Sequence, residues 1–298
     1  MMTKPRRAYQ GFTLIELVLV VVVTSVMAAT LVVFFKPAIE GYLVSRARAD
    51  LTDQADTALR RMVRDVRLAV PNSVRTPGSQ CFEVVPTRTG GRYRNAPDTV
   101  NNLPTDCSVA GTTCAAPLDT SQATTVFDAL TQLSVTPAVG DWVVVGNQNP
   151  GDLYSGVTRS AISTAVTTPA AAYGRHRITV TSKQFPLGYD GGRFTVVPGT
   201  TPAVFYICSG ADGTLDASGN GKGTLYRLMR DFSAPYPSAC PATTSADVLA
   251  TRVRSCNFVY DPNQGATQQS GFVWMQLELA RAGETAHMAI GAHVANGP

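Results

Sequence analysis

The feature that most constrains this chain is an apolar stretch of 24 residues near its start. It covers residues 12–35, and its only charged residue is Glu16. A helix rises about 1.5 Å per residue, so this stretch is roughly 36 Å long and can cross a hydrocarbon core of about 30 Å. Three basic residues, Lys4, Arg6 and Arg7, precede it. Because basic residues stay on the cytoplasmic side of a membrane, they predict a cytoplasmic N-terminus with the bulk of the chain outside.

Two interpretations of this stretch compete. It is either a secretory signal, removed near the small residues at 26–29 to release a secreted protein such as an enzyme, or a retained membrane helix. Glu16 separates them, because a carboxylate at a helix centre costs about 2.5–3.5 kcal/mol on insertion scales. A carboxylate in that place needs a function, and a signal that is removed gives it none.

The string GFTLIEL at residues 11–17 resembles the recognition motif of the methyl-accepting prepilins, also called class III signal peptides. The resemblance implies that a membrane peptidase cleaves after Gly11 and N-methylates Phe12. It also implies that Glu16 is needed for efficient assembly into a filament. Cleavage would leave a positive amine on Phe12 about one helical turn from Glu16. The amine of one subunit could pair with Glu16 of its neighbour. Any other axial offset between the two helices would then bury an uncompensated charge, so the pair would set their axial register.

The helical pattern continues beyond the apolar stretch. Pro37 is expected to bend or loosen the helix, and Gly41 to weaken it. Apolar residues then recur every three or four positions, which predicts an amphipathic helix with one buried stripe that ends at Pro71. The whole helix is predicted from Phe12 to Val70. The residues of the stripe are Leu51, Ala55, Ala58, Met62, Val66 and Ala69.

Basic residues on the second half of this helix allow two interpretations. The stripe of arginines at positions 46, 48, 60, 61, 64 and 67 could bind DNA. However, aspartates at 50, 53, 56 and 65 interleave with it, and pairs such as Arg61 and Asp65 are spaced i,i+4. A solvated face of mixed charge is favoured. Outside Lys4, Arg6 and Arg7 the formal charge is +4 minus 3, or +1, which gives no general case for a nucleic-acid partner.

The rest of the chain is predicted to be β-rich. Charged residues make up only 15%, with 25 Gly and 19 Pro, which is typical of an exported domain with many loops. Nine strands are predicted, at 81–85, 142–145, 177–181, 193–197, 204–208, 224–229, 253–260, 272–280 and 286–294. Gly283-Glu284 is predicted to form the turn of the last hairpin. Residues 96–125 are predicted to be a surface loop tied by a disulfide.

Six cysteines, all after residue 80, predict a disulfide framework in an exported protein. Six cysteines allow 15 pairings, of which Cys107 with Cys114 is favoured because they close a small loop. Buried thiols are the alternative. The cysteines are Cys81, Cys107, Cys114, Cys208, Cys240 and Cys256.

These patterns predict an α+β protein in which a long transmembrane and amphipathic helix packs on a β-rich head, the lollipop shape of pilins. Its parts are a leader at 1–11, a membrane segment at 12–36, a periplasmic helix at 37–70 and a head at 71–298. The stretch ALRRMVRDVRLAVPNSVR at 58–75, the size near 300 and the ending HVANGP resemble MshO-type minor pilins of mannose-sensitive haemagglutinin (MSHA) pilus biogenesis. The large J-type pseudopilins of type II secretion share this plan.

The resemblance implies a minor subunit that initiates, primes or caps a filament. Its partners would be other pilin subunits, the prepilin peptidase and the inner-membrane assembly platform, with a position in the inner membrane and then in the pilus, at its tip. An adhesin or DNA-binding tip module is the alternative from another class.

No constellation typical of an enzyme or a cofactor site is visible in the sequence. His176, His287 and His293 lack metal-ligand spacing, although the last two could share one face of a strand. The glycine-rich run at 219–224 lacks the order of a phosphate loop and is interpreted as a turn. Asp212, Asp216 and Asn220 offer oxygen ligands at short spacing, so the sequence leaves open a calcium site or a plain hairpin loop.

Overall fold

The computed structural model describes residues 11–97, 114–187, 191–264 and 270–295, and their elements give an α+β fold. The predicted fold class is confirmed. The described helices are α1 Leu14–Arg67 and α2 Asp152–Ser155. The described strands are β1 Arg75–Gly78, β2 Cys81–Val84, β3 Thr89–Arg92, β4 Thr124–Ala129, β5 Trp142–Val144, β6 Arg159–Ala161, β7 His176–Lys183, β8 Arg193–Val197, β9 Ala203–Ser209, β10 Gly223–Arg230, β11 Asp247–Gln264, β12 Ser270–Arg281 and β13 Glu284–Ala295.

The chain divides into two compact units, Met1–Asp50 and Leu51–Pro298. Within the second unit, the last part of α1 and the residues just after it bury the predicted apolar stripe. All six of its residues are at most 8% exposed, and they belong to the same core cluster as Phe82, Tyr206 and Leu277 of the large sheet. A strand surface and a helix face of matching apolar character therefore build the main core of this unit.

The helix ends three residues earlier than its sequence predicts. α1 stops at Arg67, because the next residues pair with the segment that follows β2. The N–H of Thr87 donates to the carbonyl of Leu68 at 2.7 Å, and the N–H of Val70 donates to the carbonyl of Val85 at 2.9 Å. These long-range bonds satisfy the backbone groups at the helix end before Pro71 is reached.

The large sheet has seven antiparallel strands in the order β1-β2-β9-β10-β11-β12-β13. A four-stranded sheet, β3-β8-β5-β6, and the pair β4-β7 form the rest of the unit around a second core that contains Phe127, Ile178 and Phe194. All nine predicted strands are present. β1, β3, β4 and β6 were not predicted, because each is only three to six residues long and lacks a clear alternation of apolar residues.

The predicted surface loop at 96–125 is wrong at its C-terminal end. Cys114, Ala116 and Leu118 are buried, and β4 begins at Thr124. The buried pair of Asp128 and Arg177 holds this segment, since the N–H of Ala116 donates to the Asp128 carboxylate at 2.8 Å. Arg177 in turn donates to the carbonyl of Cys114 and binds Asp128 at 2.7 Å. Residues 98–113 of the predicted loop lie outside the described residues.

Two disulfides confirm the predicted framework for four of the six cysteines. Cys81 bonds to Cys240, and Cys208 bonds to Cys256. No cysteine among the described residues is a free thiol, so the alternative of buried thiols is wrong for them. The Cys107–Cys114 pairing includes Cys107, which lies outside the described residues, and it stays a prediction.

Candidate functional site

The start of α1 is built by a reciprocal cap between Thr13 and Glu16. The Thr13 hydroxyl accepts the N–H of Glu16 at 3.3 Å, and the Glu16 carboxylate accepts the N–H of Thr13 at 3.2 Å and its hydroxyl at 3.1 Å. This is the capping box of a Ser/Thr-x-x-Glu sequence, in which the two residues satisfy each other's backbone donors. The helix consequently starts at Leu14 and not at the predicted Phe12.

The cap uses one carboxylate oxygen of Glu16. Both donors from Thr13 reach Oε2, while Oε1 has no hydrogen-bond partner among the described residues. Gly11 and Phe12 precede the cap outside the helix, and the Phe12 side chain is 81% exposed. The sequence signal for the cap, Thr13-x-x-Glu16, was present in the motif and was missed because Glu16 was interpreted only as an assembly residue.

The apolar stretch packs on no other segment among the described residues of its own unit, 11–50. α1 is long and apolar enough to cross a membrane, and the most apolar window of the helix is 0% buried. Large side chains along it are open, such as Leu14 at 83% and Phe34 at 80% exposed. So extensive an apolar surface needs lipid or other protein surfaces around it.

The polar side chains inside this stretch are satisfied by their own helix. The hydroxyls of Thr24, Ser25 and Thr30 donate to backbone carbonyls three or four residues earlier, at 2.6 to 2.8 Å. Such bonds remove the cost of carrying hydroxyl groups into lipid. Glu16 is the only group of the stretch that brings a formal charge.

Pro37 lies inside α1, which runs through it without interruption. Lys36 and Glu40 flank it as an i,i+4 pair with 4.0 Å between their charged atoms. The bend predicted at Pro37 stays a prediction.

The calcium candidates lie in a tight loop between β9 and β10. The Asp216 carboxylate accepts the N–H groups of Ser218 and Asn220, each at 2.8 Å, and these bonds, that of Asn220 first, lower its pKa. The Asp212 carboxylate accepts the hydroxyl and the N–H of Thr214, which lowers the pKa of Asp212, and the Lys222 ammonium lies 3.7 Å away. The contacts are those of a hairpin loop.

The histidines do not come together. His176 accepts the N–H of Leu133 at 3.2 Å, and burial lowers its pKa. His287 and His293 are both exposed on one face of β13, where His287 contacts Gln276 and the ring of His293 lies 4.9 Å from that of Phe272. Within the described ranges, no group of three or more His, Cys, Asp or Glu side chains could hold a metal ion.

Comparison with known proteins identifies one segment. Residues 6–32 match the prokaryotic N-terminal methylation motif, and this match includes the capping box and most of the apolar stretch. No curated protein and no solved structure matches the chain. The N-terminal segment therefore supports a prepilin-type, type IV pilin-like protein, of a class that serves as structural subunits and not as enzymes. Membrane anchoring through α1 is consistent with both findings.

Proposed function

We propose that this chain is a minor subunit of a type IV pilus-like filament, of the MshO type of MSHA pilus biogenesis, which initiates or caps assembly. The observation that carries the proposal is the match of residues 6–32 to the methylation motif on a helix whose apolar face is open. The large β-rich unit, residues 51–298, favours a minor subunit over the main shaft subunit.

In this proposal the chain waits in the inner membrane with its N-terminus in the cytoplasm and its β-rich unit in the periplasm. The disulfides Cys81–Cys240 and Cys208–Cys256 support an oxidising compartment for that unit. The prepilin peptidase cleaves after Gly11 and methylates Phe12. The assembly platform then moves the subunit into the filament, where it lies at the tip.

Glu16 has two roles in the proposal, and each role uses a different oxygen of its carboxylate. Oε2 caps the helix within the subunit, and Oε1 is open to the Phe12 amine of a neighbouring subunit. A charge-assisted hydrogen bond between them would offset the desolvation of both groups and set the stagger of adjacent helices.

The variant Glu16→Gln separates these roles. Glutamine also completes a capping box, so the helix start is kept while the charge is lost. We expect the variant to be cleaved and inserted in the membrane but to enter filaments poorly, measured by immunoblotting of sheared filaments against the membrane fraction. Thr13→Ala is the matched control, because it removes both hydroxyl bonds of the cap and keeps the charge of Glu16. Normal incorporation of Glu16→Gln would overturn the charge-pair role.

The N-terminus of the mature chain tests the processing step. Mass spectrometry of the membrane-extracted protein should find N-methylated Phe12 as the first residue. A chain that starts near residue 30 would instead identify a cleaved secretory signal and would overturn the proposed function.

A further inference from the structure

The two edges of the seven-stranded sheet differ in character. β1 is four residues long, contains Pro77, and shifts register against β2. β13 is twelve residues long and pairs with β12 at every residue without a bulge. Short strands, prolines, lysines and bulges are the features that protect sheet edges from pairing with other chains, and β13 has none of them.

The outer side of β13 carries backbone groups without backbone partners. No described strand lies beyond it, and no backbone hydrogen bond outside the β12–β13 ladder joins residues 285–295 to another described segment. In an antiparallel pair the residues direct their N–H and C=O groups alternately to either side, so about half of the groups of β13 face outward. Such an array binds an extended chain by adding a strand to the sheet.

The side chains of β13 restrict what that added strand can be. No acidic residue, lysine or arginine occurs from Thr285 to Val294. On the core side, Ala286 and Ala292 are buried while Met288 and Ile290 are only half-buried at the end of the sheet. The occupant must therefore be uncharged and must cover these two apolar side chains.

β13 itself meets this requirement, because its sequence is nearly symmetric about Ile290. In an antiparallel arrangement of two copies centred there, Ile290 faces Ile290 of the second copy and Met288 faces the small Ala292. On the other face, Ala289 lies opposite Gly291 and His287 opposite His293. Large side chains meet small ones or their own kind, and no like charges are brought together.

We infer that the edge of β13 is a self-association site that pairs two copies of this chain through antiparallel β13 strands centred on Ile290. The contact joins two large sheets into one and extends the core over Met288 and Ile290. It is isologous and closes on itself, unlike the head-to-tail contacts that propagate a helical filament. It does not depend on the role proposed for Glu16.

Charge substitutions at the centre test this site in the full chain. In detergent at tens of micromolar, light scattering after size exclusion should find the native chain as a dimer. Ile290→Lys and Ile290→Glu should each weaken association at least tenfold, because two like charges then face each other. An equimolar co-expressed mixture of the two should restore the dimer, since lysine then faces glutamate.

Val259→Lys is the matched control, because Val259 is 50% exposed on β11 of the same sheet, away from the edge. It should leave the dimer unchanged. Recovery in the mixture shows that the variants are folded. The inference would be overturned if the native chain were monomeric or if the mixture of the two variants stayed monomeric. It would also be overturned if Ile290→Lys dimerised as strongly as the native chain, which is the result expected if the chain associates only through its apolar stretch.

Discussion

Asp65 lies on α1 at a position where the sequence predicts a solvated face, yet it is only 5% exposed. Its carboxylate accepts the hydroxyl of Tyr206 at 2.7 Å and the guanidinium of Arg227 at 3.0 Å. Arg61, the predicted partner, is 3.8 Å away at the outer side. Burial, and then the charge of Asp65, raise the pKa of the Tyr206 hydroxyl, which therefore stays a donor. One carboxylate thus ties the helix to β9 and β10.

Removal of Asp65 should lower the free energy of unfolding far more than removal of Asp56, an aspartate of the same helix whose ion pair is exposed. Asp65→Ala leaves Arg227 and Tyr206 without their acceptor, and breaking a buried pair in this way costs about 3–5 kcal/mol. Asp56→Ala removes only an exposed i,i+4 contact to Arg60 and should change little. Urea unfolding of both variants in detergent measures the difference. Equal midpoints would contradict the role given to Asp65.

The burial of Asp65 could not be predicted from the sequence, because its partners lie 141 and 162 residues away. The i,i+4 spacing with Arg61 is visible in the chain and is present in the structure. By contrast, the Thr13–Glu16 cap is entirely local and could have been predicted from four residues. Separation along the chain, more than residue type, decides which contacts of a side chain a sequence reveals.

The turn of the β12–β13 hairpin lies one residue earlier than the sequence predicts. Both strands were predicted from alternating apolar residues, but the turn is Ala282-Gly283 and not Gly283-Glu284. Arg281 pairs with Glu284, and both turn residues have positive φ, at 51° and 82°. A two-residue turn with positive φ at both positions fits the right-handed twist of the two strands that it joins. Here it places Ala282, which is not a glycine, in the left-handed region.

Ala282→Asn should stabilise the protein by about 0.5–1 kcal/mol, because asparagine tolerates the left-handed conformation that strains alanine. The N–H of Ala282, which donates to Asn220 at 3.1 Å, is kept. Gly283→Ala is the opposite test and should destabilise by about 1 kcal/mol. Both are measured as shifts of the urea midpoint. A lower midpoint for Ala282→Asn would show that the turn is not strained at this residue.

For the whole molecule, the patterns in the sequence predicted the fold class, the helix stripe and nine strands. They did not predict the short strands, which lack a clear alternation of apolar residues. They also did not predict the burial of Cys114, Ala116 and Leu118, since this segment is held by the distant pair of Asp128 and Arg177. The predicted start of the head at residue 71 stays a prediction; the second compact unit begins at Leu51 and includes the last part of α1, which the sequence predicts to pack on that head. The apolar stripe from Leu51 to Val66 is part of the core of that unit, which agrees with the predicted packing of the amphipathic helix on the head.

Truncation tests where the independent unit begins. A chain that starts at Leu51 and is exported with a cleavable signal keeps the buried stripe, so it should fold, form both disulfides and unfold cooperatively. A chain that starts at Pro71 lacks Leu51, Ala55, Leu59 and Met62, which exposes the matching face of the sheet. Loss of each leucine or methionine side chain costs about 2–5 kcal/mol when it leaves a cavity, so the three together cost about 6–15 kcal/mol, as much as the usual stability of a domain of about 5–15 kcal/mol. The shorter chain should therefore aggregate or be degraded. Its recovery as a folded protein with native near-UV circular dichroism would show that the head folds from residue 71 without the helix.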